Sequence, residues 1–252
     1  MPSSASPLVY LLLGAAGSGR REVLADLIEG GLATGDQPAV LLAEGEASDP
    51  NEAKLGAIIR WTLQSGAIAA ALPPGATHVF FVTDGRHDPL DQIEAFKPWL
   101  EAHGGGLARV LCFVNCELAE KNPPLLAWFD ACVHFADVVL LSRREGVANK
   151  WLSDFQTHFK GQFFPCLFEF VKQGRVANPA LLLEPQARRM THLFDEEPDW
   201  IFTTADGKVL EDEEEAEGDE EVEVTPAPDP WLVRDATGRR VKKIPDIRKF
   251  IG

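Results

Sequence analysis

The 252-residue sequence lacks a cysteine framework, a long apolar run and an excess of basic charge, and each absence closes a class of function. Its four cysteines, Cys112, Cys116, Cys132 and Cys166, stand in apolar surroundings without scaffold spacing, the pattern of buried reduced thiols. Cys112 and Cys116 form a CxxxC pair, yet Leu107 to Cys116 reads as a strand, along which four residues span roughly 13 Å, too far to share one ion. No structural metal is expected. No apolar stretch approaches the roughly 20 residues of a membrane span. The run from Leu8 to Ala16 has arginines after it and none before, the reverse of a secretion signal, so the expected compartment is the cytoplasm.

Lys and Arg number 24 against 39 Asp and Glu, for a net charge of −15. Ten of the acids crowd into the 13 residues from Glu211 to Glu223, but residues 1–210 alone hold 17 basic and 26 acidic side chains. Such a surface cannot release counterions from nucleic acid, and it is repelled by anionic lipid. What is present is 45% apolar and 25% charged, the composition of a globular protein, at a length that suits one α/β domain with an appendage.

Short apolar runs recur at Leu8–Leu13, Ala39–Ala43, His78–Thr83, Arg109–Val114 and Asp137–Leu141, with a sixth at Phe163–Val171. Unbroken runs of this length indicate strands covered on both faces, as in a parallel sheet. Helical patterns lie between them at Arg20–Ile28, Pro89–Ala102, with Pro98 as the expected break, and Val147–Phe159; Asn51–Leu72 is ambiguous, helical by composition but divided by Gly56 and Gly66. The alternation predicts an α/β domain over residues 1–195 with a doubly wound, mostly parallel sheet flanked by helices. Beyond it, 196–210 reads as a short hairpin, 211–230 as an acidic, Pro-rich disordered linker, and 231–252 as a basic hairpin and tail with seven Lys/Arg against two Asp. Trp200–Leu210 and Trp231–Val241 share a Trp with a Gly seven residues on, offset by 31 positions, and both predict hairpins turning at that glycine.

The strongest local signal is Tyr10-Leu-Leu-Leu-Gly14-Ala-Ala-Gly17-Ser18-Gly19-Arg20-Arg21, a strand, a glycine-rich turn and a helix start. Backbone N–H groups converge at such a turn where the helix dipole is positive, which makes an anion nest. Gly14-x4-Gly19 has the spacing of a Walker A loop, but Arg20 and Arg21 stand where that loop has Lys and Ser or Thr. Two readings stay open: phosphate or nucleotide contact, or a strand-to-helix turn that keeps its glycines for packing. His87-Asp88 reads as a helix cap with a histidine neighbour, and the aromatics from Trp151 to Phe170 as core.

With these landmarks the chain resembles the CobW/HypB/UreG family of P-loop GTPases over roughly residues 8–180. Val82-Thr-Asp-Gly-Arg-His-Asp-Pro89 is similar to the family's Glu-Thr-Thr-Gly-Leu-Ala-Asp-Pro segment, matching at Gly85, Asp88 and Pro89. Val82 takes the place of the acid, and Asp84 becomes the candidate catalytic residue and indirect Mg²⁺ partner. Ala136-Asp-Val-Val-Leu-Leu-Ser142-Arg143-Arg-Glu145 has the frame of the strand that leads to Asn-Lys-x-Asp, with Ser142, Arg143 and Glu145 in the guanine-reading positions. The family's CxCC metal motif is missing around Trp61–Gly66.

The resemblance implies a GTP- or GDP-binding P-loop fold with Gly14, Gly17, Ser18, Gly19, Arg20, Arg21, Ser142, Arg143 and Glu145 at the nucleotide. Mg²⁺ lacks its hydroxyl ligand at position 21. Phosphoryl transfer is mostly charge neutralisation and positioning, and all three groups that serve it are altered. The expectation is therefore a pseudo-GTPase, with vestigial nucleotide binding and little or no hydrolysis. Its work would lie in contacts to a protein partner through the C-terminal tail, with Trp200 and Trp231 as anchors. The alternatives are an active GTP- or ATP-dependent switch, a metallochaperone-like protein or small-molecule kinase using Arg20 and Asp84, and a plain α/β domain with no ligand.

Overall fold

The computed structural model describes residues 6–195, 200–204, 209–210 and 222–251. The chain forms two compact units, one of residues up to 190 together with those from 243 onward, the other of residues 191–242.

The first unit is built on eight strands: β1 (Leu8–Gly14), β2 (Pro38–Ala43), β3 (Ala57–Gln64), β4 (Ala67–Ala69), β5 (His78–Val82), β6 (Gly106–Asn115), β7 (Val138–Ser142) and β8 (Leu167–Phe170). They lie in the order β4-β3-β2-β5-β1-β6-β7-β8, parallel throughout except where β4 turns back on β3. All six expected strands form. β1, at the centre, is fully buried from Val9 to Leu13, which explains a run with no polar residue. Alternate side chains meet different helices. Tyr10, Leu12, Val40 and Phe80 pack with Leu24 and Leu27 of α1 (Arg20–Gly31) and Leu182 of α6 (Pro179–Leu183). On the other face Phe81 stacks among Trp61 and the Phe96 and Trp99 rings of α2 (Pro89–Ala102), at centroid distances of 4.7–5.3 Å. Helices α3 (Cys116–Lys121), α4 (Leu126–His134) and α5 (Asn149–Lys160) complete the unit. The flanks diverge at β1, which lies between β5 and β6, so its carboxyl end is the topological switch point where open α/β sheets bind ligands.

Several expectations change. Pro98 does not break α2, because it and Glu94, whose carbonyl loses an N–H partner, both lie on the exposed face where water serves instead. Asn51–Leu72 is not helical: a short 3-10 turn at Pro50–Lys54 precedes β3 and β4, which are joined at Ser65 and Gly66, both with positive φ, 49° and 80°. That is the backbone of a primed two-residue hairpin turn.

In the second unit, β9 (Trp200–Thr204) pairs antiparallel with β10 (Val209–Leu210) and β11 (Val222–Pro226). The Trp200–Leu210 hairpin thus forms, though Gly207 lies outside the described residues. Residues 222–226, read as disordered linker, are strand instead; their Val-Glu-Val alternation is a strand period that the acidic composition masked. The rest of the acidic run, 211–221, lies outside the described residues. The Trp231–Val241 segment turns at Gly238 (φ 79°), held by Val241 N–H donating to the Val233 carbonyl at 3.0 Å and by Asp235 accepting from the Thr237 amide at 2.8 Å.

Candidate functional site

The loop from Gly14 to Gly19 needs its glycines for backbone reasons alone. Gly17 and Gly19 have φ of 81° and 78°, and a Cβ on Gly14 would press to 2.8 Å from the Phe113 carbonyl oxygen on β6. Both readings of the motif therefore start from the same geometry, and the neighbouring side chains decide between them.

Those neighbours engage the loop's arginines and one of its amides. Arg20, only 5% exposed, donates to the Thr83 carbonyl and forms an ion pair with Glu46 at 2.5 Å. Arg21 reaches Glu46 at 3.5 Å, Asp49 at 3.6 Å and Glu52 at 2.7 Å. Glu46, with 8% of its side chain exposed, also accepts the Gly85 N–H at 3.3 Å, so one internal carboxylate takes both the Arg20 guanidinium and an amide of the β5–α2 connection. Gly85 meets the loop on the other side. Its carbonyl accepts the Ala16 N–H at 2.9 Å, and a Cβ there would overlap the Ala16 nitrogen and the Arg20 guanidinium.

Ser142 and Arg143 also meet the loop. The Ser142 hydroxyl is buried, 2.7 Å from the Ser18 carbonyl and 2.9 Å from that of Val114, and it ties the ends of β6 and β7 to the turn. Arg143 pairs with Glu22 at 3.2 Å and lies over Gly19. Glu145 is exposed at the surface beyond them. Ser18 is fully buried and its hydroxyl has no partner among the described residues. Trp200 and Trp231 belong to the second unit, where Trp231 carries the Lys242 ammonium 4.7 Å over its ring.

Asp84 turns away from the loop. It accepts the Arg86 amide at 2.9 Å and pairs with His87 at 2.6 Å, while its own N–H donates to Gln92 at 2.6 Å. Asp88 caps α2 through the Leu90 amide at 2.8 Å, so the histidine's partner is Asp84 rather than the residue beside it. Asp84, His87, Asp88 and Asp91 instead line a cavity of about 790 Å³. The four thiols are free and buried. Burial pushes Cys116 and Cys166 up to about 12 and raises Cys132, the latter reinforced by Cys112, so Cys116, Cys132 and Cys166 offer no thiolate near neutral pH. Among the described residues no three His, Cys, Asp or Glu side chains cluster as a metal site, and no helix is long and apolar enough to cross a membrane.

No protein-family profile and no curated protein matches the chain. Solved structures do match. Its structural neighbours include P-loop GTPases of the CobW/HypB/UreG family. A Zn(II)-bound triple mutant of the YjiA GTPase is 17% identical at a TM-score of 0.41, covering 77% of this chain and 70% of its own. HypB from Helicobacter pylori in complex with nickel is 11% identical at 0.42, covering 70% and 82%. Zn(II)-bound YjiA from E. coli is 15% identical at 0.39, covering 73% and 66%. The fold itself is read from the sheet order and the central glycine loop.

The side chains that would hold a Mg²⁺–nucleotide at the loop are changed or engaged by other groups. Position 21 supplies a guanidinium in place of a hydroxyl ligand, Asp84 is engaged by His87, and Arg20 is held by Glu46 and Thr83. Two features escaped the sequence reading. Glu46 lies in Ala43-Glu-Gly-Glu46-Ala-Ser-Asp49, and its signal was the pair of adjacent arginines at a buried helix start, which required carboxylates from elsewhere. The cavity's C-terminal wall, Ile244–Arg248, carried no motif at all.

Proposed function

We propose that this chain is a pseudo-GTPase: a P-loop-type fold with weak or vestigial purine-nucleotide binding, little or no hydrolysis, and a role exercised through protein contacts. The observation that carries the reading is the Arg20–Glu46 pair over a loop whose Ala16 N–H is given to Gly85. To admit a phosphate, Arg20 must leave a buried carboxylate, and a carboxylate and a phosphate repel each other in one cradle. Efficient transfer also needs a metal to neutralise charge on the phosphoryl oxygens, and position 21 carries a guanidinium where its hydroxyl ligand would stand. Partner contact is assigned to the C-terminal region from 231, where Trp231 and basic side chains are presented on a small turn, with Trp200 as a second anchor.

The unpartnered Ser18 hydroxyl favours one other reading, an active GTP- or ATP-dependent switch in which nucleotide displaces Glu46. Phosphate release from GTP and ATP with Mg²⁺ separates the two. The full chain, Arg20→Ala and Asp84→Ala should all match the protein-free blank. Release by the full chain that both substitutions abolish would establish the switch.

A further inference from the structure

Residues 243–251 return to the first unit after the chain has passed through the whole of the second. They are held there by one deeply buried residue, Ile247, at 2% exposure, on a short turn that Asp246 caps through the Arg248 amide at 3.1 Å. Around that anchor the segment is basic, with Lys243, Arg248 and Lys249 all exposed. Ile244 to Arg248 form one wall of the 790 Å³ cavity. Arg248 pairs with Asp246 of the same segment at 2.9 Å, and the facing walls are acidic and apolar. Glu44, Asp84, Asp88 and Asp91 supply acid, and Trp61, Leu63 and Trp128 supply apolar surface. Leu63 is 38% exposed, and the buried Trp128 indole N–H has no acceptor among the described residues. Apolar walls beside carboxylates suit an apolar anchor with basic flanks better than a bare ion, and the space left shows that the segment does not fill the groove.

We propose that this cavity is a docking groove for a short segment of a partner protein, apolar at its anchor and basic around it. The chain's own C-terminal segment is the resident competitor. Tethering gives that segment a high effective concentration, so it screens the groove until a partner with a better anchor displaces it. The inference goes beyond the pseudo-GTPase reading and does not depend on the state of the phosphate loop.

The test titrates a fluorescent peptide of residues 243–252 into the full-length wild-type chain and into two full-length variants that loosen the resident segment, Ile247→Asp and Arg248→Glu/Lys249→Glu. Both variants should bind the peptide at least tenfold more tightly than wild type, binding should weaken with added salt, and Leu63→Glu introduced into either should abolish it. The two charge reversals lie on exposed side chains, so they give the same comparison if Ile247→Asp does not fold. Folded variants that bind no better than wild type, or binding indifferent to Leu63→Glu, would overturn the proposal.

Discussion

Two neighbouring places in the first unit have opposite characters. At the end of β1, the glycine loop is bordered by the protein's own groups: Arg20 and Arg21 pair with Glu46, Asp49 and Glu52, and Gly85 takes the Ala16 N–H. Between the end of β5 and the start of α2, Asp84, His87 and Asp91 face a cavity that the C-terminal segment lines without filling. The arginines of the glycine loop are engaged by internal carboxylates, and the open space lies beside it, lined in part by Asp84, His87 and Asp88 of the Val82–Pro89 segment. A glycine loop records what the backbone needs, whereas occupancy depends on side chains that arrive from distant parts of the chain.

The sharpest way to break the contrast is Glu46→Ala. It leaves Arg20 buried with only the Thr83 carbonyl, and losing one partner of a buried pair costs about 3–5 kcal/mol. Urea unfolding should show a loss toward the lower end of that range, because the carbonyl remains. A change within a few tenths of a kcal/mol would mean that the pair is decorative. Next comes a pair of glycines. Gly85→Ala drives a methyl into the Ala16 nitrogen and the Arg20 guanidinium, and should cost about 1–3 kcal/mol as overpacking. Gly45→Ala, whose Cβ would meet only Asp84 Oδ2 at 3.8 Å, should be nearly neutral. Equal effects from the two would erase the distinction between the engaged loop and the open cavity. Smaller again, Asp88→Ala removes the α2 cap at the cavity rim and should lower stability by about 1 kcal/mol.

The smallest effect at neutral pH comes from the buried acids of the core. Tyr10, Cys116 and Cys166 are each pushed up to about 12 by burial, above ordinary values of 10 for the phenol and 9 for the thiols. Their folded-state values are raised, so the stability they contribute is complete below pH 9 and is lost as pH rises from 9 towards 12, where the unfolded chain ionises first. The urea midpoint should accordingly hold between pH 7 and 8.5 and fall above pH 9. Iodoacetamide at pH 8 should label the thiols only after denaturation; rapid labelling of the native protein would show that they are not buried.

The fold was legible where physics is local. Unbroken apolar runs marked six parallel strands, because a strand covered by helices on both faces has no polar positions to break the run. The β3–β4 hairpin was not, since the composition of Asn51–Leu72 also suits a helix, although Arg60, Thr62 and Gln64 alternate with apolar residues at the strand period. The site was half legible. Gly14, Gly17 and Gly19, with Ser142 and Arg143, do meet at one place, yet Glu46 joins them by a long-range ion pair that no spacing in the sequence encodes. Ile247 was least visible of all, one of several apolar residues in a basic tail, and its burial depends on where the chain returns.

Titration calorimetry of the full-length chain with GTP, GDP, ATP and ADP, each with and without Mg²⁺, tests the internally engaged loop most directly. The account predicts no measurable binding at micromolar nucleotide, with the same result whether or not Mg²⁺ is present. Micromolar, base-selective binding that requires Mg²⁺ would contradict it, and would mean that nucleotide displaces Glu46 from Arg20.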